Sequence, residues 1–197
     1  MKKALYLLSV LLLSSASTLT AGRAKPPHAP VGSGVYRSAK DFQQGKMFLQ
    51  VNCQTEVHRI ELHEFSNKSF INVIHEGKKN TLQKSEIFGV RDCGGHDFRF
   101  FQNKDYQLLE NLGLVIYQKT AVNPVGGEEL GKQMDFYFST QLDGPIQPLT
   151  LEALKQATPG NHAFHNALDA QFQNANVADY DDFHKMYKVN QLLLNAK

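Results

Sequence analysis

The stretch VHRIELHEF alternates. Ile60 and Leu62 fall on one side of an extended chain and Arg59, Glu61 and His63 on the other, the period of a strand with one wet face. MFLQVN alternates in the same way, and SFINVIHEGKKNTL predicts a hairpin turning around Glu76 to Lys79. EIFGVR runs into Gly94-Gly95, and HDFRFF, YQLL and GLVIY follow with QNKD and ENLG as turns, so Val35 to Tyr117 predicts an antiparallel meander. Ahead of it SAKDFQQG predicts one short helix ended by Gly45. Lys119 to Gln133, with its glycines and proline, is expected to be a long connection, after which MDFYFST returns as a strand with Met134, Phe136 and Phe138 on one face.

After Asp143-Gly144-Pro145 the period changes. LTLEALKQA offers Thr150 as an N-cap, with Leu149 and Leu154 at the positions of a hydrophobic staple. NHAFHNALDAQF offers Asn161 as a cap and Phe164, Leu168 and Phe172 at four-residue spacing, one buried stripe. A last helix is expected over YDDFHKMYKVNQLLLNA, with Asp179, Asp181 and Asp182 at its start, Lys185 and Lys188 later, and a stripe of Tyr180, Phe183, Tyr187 and Leu194. Strands first and helices after predict an α+β protein: an antiparallel meander or curved sheet followed by C-terminal helices packed on it.

The N-terminus changes where this fold is expected to work. Lys2 and Lys3, an apolar run from Ala4 to Leu13 and the small residues beyond it read as a secretory signal peptide, too short to span a bilayer. Residues 1–24 are therefore assigned as signal peptide, 25–34 as a flexible leader, and 35–197 as a single α+β domain, β-rich over 35–140 and helical over 149–197. With no cysteine near the cleavage region a lipid anchor has no attachment point, and the expected location is periplasmic or secreted, without an integral membrane span. Cleavage after Ala24 takes the formal charge from +2 to −1, eighteen basic against nineteen acidic residues. Lys78-Lys79 is then the only adjacent basic pair, so a phosphate-tracking stripe for nucleic acid is not expected.

Export also bears on RDCGGHDFRFF. A two-residue type I′ loop at Gly94-Gly95 would make Cys93 and His96 cross-strand neighbours, set Arg91 opposite Phe98, and oppose Asp92 to Asp97, a like-charge pair that a longer loop avoids. A Cys93–His96 nucleophile is one reading, but a hairpin tip supplies neither a third orienting group nor a shielded pocket. The oxidising compartment favours a disulfide between Cys53 and Cys93, the two cysteines of the chain; free thiols and a metal site stay as alternatives.

Eight histidines invite a metal reading. His63 and His75 lack the second histidine of a zincin helix, and His58 and His63, an odd number of residues apart, point to opposite faces of one strand. His162 and His165 at i, i+3, with Asp169 a turn on and His184 beside Asp181, form the candidate metal set. The plainer reading makes them the solvated side of an amphipathic helix. No nucleophile elbow, Walker loop or dinucleotide fingerprint is present, and no catalytic residue or cofactor is assigned. The chain has no tryptophan, the commonest sugar-stacking platform.

In GVYRSAKDFQQGK and KSEIFGVRDCGGHDFRFFQNKDYQLLENLGLVIY the chain resembles a loosely defined group of uncharacterised exported bacterial proteins. These share a Gly-Val-Tyr opening, then Asp-Phe and Gly-Lys, then a strand ending in Phe-Gly or Trp-Gly before a short hairpin. The resemblance covers about half of the mature chain, leaves out Cys53 and Cys93, and implies no activity and no site residue. The expected function is that of an exported, non-enzymatic binding or envelope-interaction protein, its aromatic-rich strands holding a protein partner or an apolar small ligand. The alternative is an exported metal-dependent hydrolase using His162, His165, Asp169 and His184.

Overall fold

The computed structural model describes residues 32–53, 59–63, 68–122, 132–173 and 175–196. Residues 1–24, expected as a signal peptide, residues 25–31 of the expected leader, and His58 lie outside these. In chain order, β1 (Gly32–Tyr36), α1 (Ala39–Gln43) and β2 (Phe48–Asn52) form a strand–helix–strand unit. β3 (Arg59–Glu61), β4 (Phe70–His75) and β5 (Lys78–Gln83) make a three-stranded antiparallel sheet. β6 (Gly89–Arg91), β7 (Asp97–Phe101), β8 (Lys104–Asn111), β9 (Val115–Val122), β10 (Lys132–Ser139) and β11 (Gln147–Pro148) follow. α2 (Leu151–Ala157), α3 (His162–Phe172), β12 (Tyr180–Asp181), β13 (Met186–Tyr187) and α4 (Lys188–Asn195) complete the chain. The main sheet runs β11-β10-β9-β8-β7-β6-β1-β2, antiparallel throughout, which makes the protein α+β.

Because side chains alternate along a strand, the pairing registers sort the main sheet into two faces. One carries Val35, Val90 and Phe100 toward one end, where Ile71 and Val73 of the small sheet's central strand bury against them. Toward the other end the same face carries Ile116 and Phe138, in one buried cluster with Leu154 of α2, Phe164, Leu168 and Phe172 of α3, and Val189 of α4. The opposite face carries Tyr106, Tyr117 and Tyr137, and is covered by Ala39 and Phe42 of α1 and by Leu142 and Ile146 of the β10–β11 connection. Its rings pack edge-on, Tyr106 at 6.4 Å from Tyr117 and 5.0 Å from Tyr137. The chain's own aromatics therefore occupy the space that an apolar ligand on this face would need.

Local chemistry explains the elements that form as expected. Ser38 accepts from the Asp41 N–H to start α1, and Gly45, at φ +64, closes it. Thr150 caps α2 through the Ala153 N–H and Asn161 caps α3 through the Phe164 N–H. Gly89 is fixed by a close approach rather than by a turn, since a Cβ there would lie 2.0 Å from the Phe98 carbonyl oxygen across the β6–β7 pair.

The single meander expected over Val35 to Tyr117 is divided: β3, β4 and β5 pair as a sheet of their own, and β6 pairs with β1 rather than with β5. Four further expectations change. Strand β1 takes in Gly32, Ser33 and Gly34, which pair or pack as buried residues rather than trailing as leader. β9 and β10 extend to Val122 and from Lys132, so the connection expected over 119–133 is shorter at both ends; its middle lies outside the described residues. The β6–β7 register is one residue off the two-residue-loop pairing: Arg91 faces Asp97 and Val90 faces Phe98. Charge decides this. The slip replaces an Asp92–Asp97 opposition with an Arg91–Asp97 ion pair, Nε to Oδ1 at 2.8 Å, and frees Asp92 to accept the His96 N–H inside a longer loop.

The fourth change is the last helix, which begins only at Lys188. Ahead of it Tyr180–Asp181 and Met186–Tyr187 form a small hairpin. The Asp181 carboxylate accepts the N–H groups of both Phe183 and His184, an Asx-type turn that competes with helix geometry, and Lys185 sits at φ +55. Phe183, expected on a buried stripe, is 89 % exposed at the hairpin tip.

Burial on the aromatic face makes one prediction. Tyr36 is pushed up to about 12, first by burial and then by the Asp97 carboxylate, against a smaller opposing effect of Arg91. Tyr106 is pushed up to about 12 by burial, then by Tyr137 and Asp105. An unfolded tyrosine ionises near ~10, so these two stabilise the fold fully below that pH, and the contribution is lost as pH rises from about 10 through 12. Phenolate absorbance is expected to show a late-titrating fraction that appears together with loss of near-UV circular dichroism. Reversible titration of every tyrosine near pH 10 with the aromatic signal intact would contradict it.

Candidate functional site

Four connections gather at one end of the sheet. Arg37 to Lys40 run from the end of β1 into α1, Lys84 to Phe88 comprise the 3-10 turn Lys84–Glu86 and the residues leading into β6, Arg99 to Asn103 end β7 and turn toward β8, and Asp143 belongs to the β10–β11 connection; together they line an open cleft of about 620 Å³. Gln102 and Asn103, at φ +51 and +62, are the two-residue turn between Phe101 and Lys104, the left-handed geometry a tight hairpin requires.

Two cations in the wall are buried, and they are treated differently. The Lys84 side chain is fully buried, and its ammonium donates to Asp105 Oδ1 at 3.1 Å and to the Asn103 carbonyl at 3.2 Å. Its charge is balanced. Arg99 is 4 % exposed and, among the described residues, has no carboxylate at ion-pair distance. Its Nη1 donates to Tyr117 Oη at 3.0 Å and its Nη2 to the Gly144 carbonyl at 2.6 Å, while Nε is buried without a partner. Since Ser139 Oγ donates to the Gln141 carbonyl, the Tyr117 hydroxyl donates to Ser139, and the chain from Arg99 has one direction.

The guanidinium carbon of Arg99 lies 5.6 Å from the Phe88 and Phe101 ring centroids and 5.8 Å from that of Tyr117. Ring faces and carbonyl dipoles stabilise a cation but do not cancel its charge. At the rim Arg37 stacks 4.3 Å from the Phe48 centroid, and among the described residues neither Arg37 nor Lys40 has an ion-pair partner. Glu86 and Asp143 are the carboxylates of the lining. The cleft thus presents excess positive charge, part of it held in place by burial.

Residues singled out in the sequence lie elsewhere. Cys53, just past β2, is disulfide-bonded to Cys93 in the β6–β7 loop, with Cα atoms 5.7 Å apart. His96 turns to Asp92, Nδ1 to Oδ2 at 3.0 Å, so no thiol–imidazole couple exists. His162 and His165 are 6.1 Å apart between ring centroids, but His165 Nε2 meets the Thr158 carbonyl at 3.0 Å, closing the end of α2. Asp169 pairs with Lys155, and His184 Nδ1 lies 2.7 Å from Asp181, whose carboxyl that hydrogen bond holds down at about 2. The four members of the candidate metal set are thus not brought together, and no three His, Cys, Asp or Glu side chains form a ligand cluster among the described residues.

Arg99 was the residue that sequence reasoning passed over. Its signal was present: in DFRFF a cation stands between Phe98 and Phe100 in a strand with apolar groups on both faces, where it is buried or lines a site. Comparison of the chain with protein-family models, curated proteins and solved structures gives no significant match.

Proposed function

We propose that the protein is an exported, non-enzymatic binding protein that receives an anionic group of its ligand or partner in the cleft beside Arg99. The observation that carries this reading is the buried Arg99 guanidinium, without a carboxylate among the described residues, in the wall of an open cleft rimmed by Arg37 and Lys40, which have no ion-pair partner among those residues either. Burying an uncompensated cation costs several kcal/mol, and an arriving anion recovers part of that cost. Export is supported by the basic and apolar pattern of the first residues and by the Cys53–Cys93 disulfide. The non-catalytic part rests on the lining, which pairs cations with ring faces and amides; the Ser38 hydroxyl that donates to Asp41 Oδ2 at 2.9 Å is engaged as the cap of α1, accepting the Asp41 N–H.

Titration with sulfate at constant ionic strength, followed by amide NMR shifts, tests the site. Shifts are expected to concentrate on Arg37 to Lys40 and Arg99 to Asn103, and Arg37→Ala with Lys40→Ala is expected to weaken sulfate binding by about tenfold, one rim contact of ordinary charge-assisted strength. Shifts scattered over the surface, or unchanged affinity in the double variant, would overturn the proposal.

A further inference from the structure

We infer that the ligand of this cleft is an acidic saccharide: a polyhydroxylated chain carrying a carboxylate, sulfate or phosphate. The inference rests on the proposed function and narrows it. A cavity of about 620 Å³ is within the range of sites that enclose a ligand of several rings, roughly 300–1,000 Å³, and one small anion would leave most of it empty.

The lining argues for hydroxyl groups. Beside the cations stand Ser85, Gln102 and Asn103, all exposed and uncharged. Each side-chain amide offers both a donor and an acceptor, the combination that neighbouring hydroxyls satisfy in pairs. Glu86 and Asp143 would repel a dense polyanion but accept hydrogen bonds from hydroxyls, so a ligand with one negative group among many O–H donors fits both signs of charge. The half-buried Phe88 and Phe101 rings supply the apolar faces on which the C–H side of a sugar ring rests, standing in for the tryptophan the chain lacks. A lipid is disfavoured by this polar rim.

The turn geometry supplies a clean variant. Gln102 and Asn103 both have positive φ, so Gln102→Gly with Asn103→Gly removes both amides while keeping a backbone that glycine favours. Calorimetric titrations would compare an aldotriouronate, which carries one carboxylate on three sugar rings, a neutral trisaccharide, a disaccharide bearing one sulfate and sulfate alone on the full mature chain. At least one acidic saccharide is expected to bind ten or more times more tightly than both the neutral trisaccharide and sulfate, and the glycine variant to lose about tenfold of that affinity. Whichever of the two acidic saccharides binds more tightly distinguishes a carboxylate from a sulfate. Sulfate binding as tightly as every saccharide would overturn the saccharide inference and leave the anion-binding function standing. A neutral trisaccharide binding as tightly as the acidic ones, or a glycine variant without effect, would also overturn it, and no binding of any probe would remove both readings.

Discussion

Replacing Asn190 with alanine is expected to cost on the order of 4 kcal/mol, a large part of the roughly 5–15 kcal/mol by which a domain of this size is stable. Asn190 is fully buried in α4, and its amide serves strand β8 and the β8–β9 turn at once. Its Oδ1 accepts the Leu114 N–H at 2.7 Å, and its Nδ2 donates to the Leu114 carbonyl at 3.0 Å and to Glu110 Oε1 at 2.5 Å. Glu110 in turn accepts the Tyr187 N–H at 3.0 Å, so one side chain fixes both the start of β9 and the entry to α4. Truncation would leave the Leu114 backbone pair and one carboxylate oxygen buried without partners, and each such group costs about 1–3 kcal/mol. Urea unfolding of Asn190→Ala beside Gln191→Ala, which removes only an exposed contact to His184, would measure this. The neighbouring variant is expected to lose less than about 1 kcal/mol; equal small losses at both positions would show that the amide does not hold the helix to the sheet.

The second large effect concerns the disulfide. Cys53 and Cys93 close a loop with a sequence separation of 40 and tie the end of the edge strand β2, across β1, to the β6–β7 loop. In the chain-entropy account a loop of that length stabilises the native state by about 4 kcal/mol, chiefly by restricting the unfolded chain. The double replacement Cys53→Ser with Cys93→Ser is expected to lower the urea midpoint and to raise the m-value, since the unlinked chain expands further on unfolding. Reductant should do the same to the unaltered protein and nothing to the variant. Two reactive thiols per chain in denaturant, or coincident unfolding curves with and without reductant, would remove the claim.

Pairing charge with register explains why some of this architecture could be read along the chain and some could not. The Ser38, Thr150 and Asn161 caps act within a few residues, and the apolar spacing of Phe164, Leu168 and Phe172 reports directly which side of α3 is buried. The β6–β7 register was ambiguous by one residue because alternation alone allows either pairing when both faces of a strand are apolar. Only the Asp97 carboxylate, drawn to Arg91 and to Tyr36 Oη at 3.2 Å, decides it. The helix expected from Tyr180 onward fails for a related reason. Its period is right, but the Asp181 side chain captures two local N–H groups, and Glu110, far away in sequence, accepts the Tyr187 N–H.

By itself the sequence determined the class of fold, the strand-then-helix order, the caps, and the two cysteines available for a bridge, because each depends on neighbours within a turn or two or on counting alone. The tertiary structure alone decided where the charge sits. Arg99 becomes an uncompensated buried cation only when β7 brings it between Phe88, Phe101 and Tyr117 and when the β10–β11 connection offers it a carbonyl instead of a carboxylate. Electrostatic energy depends on distance and burial, and one-dimensional order carries neither for residues 45 positions apart.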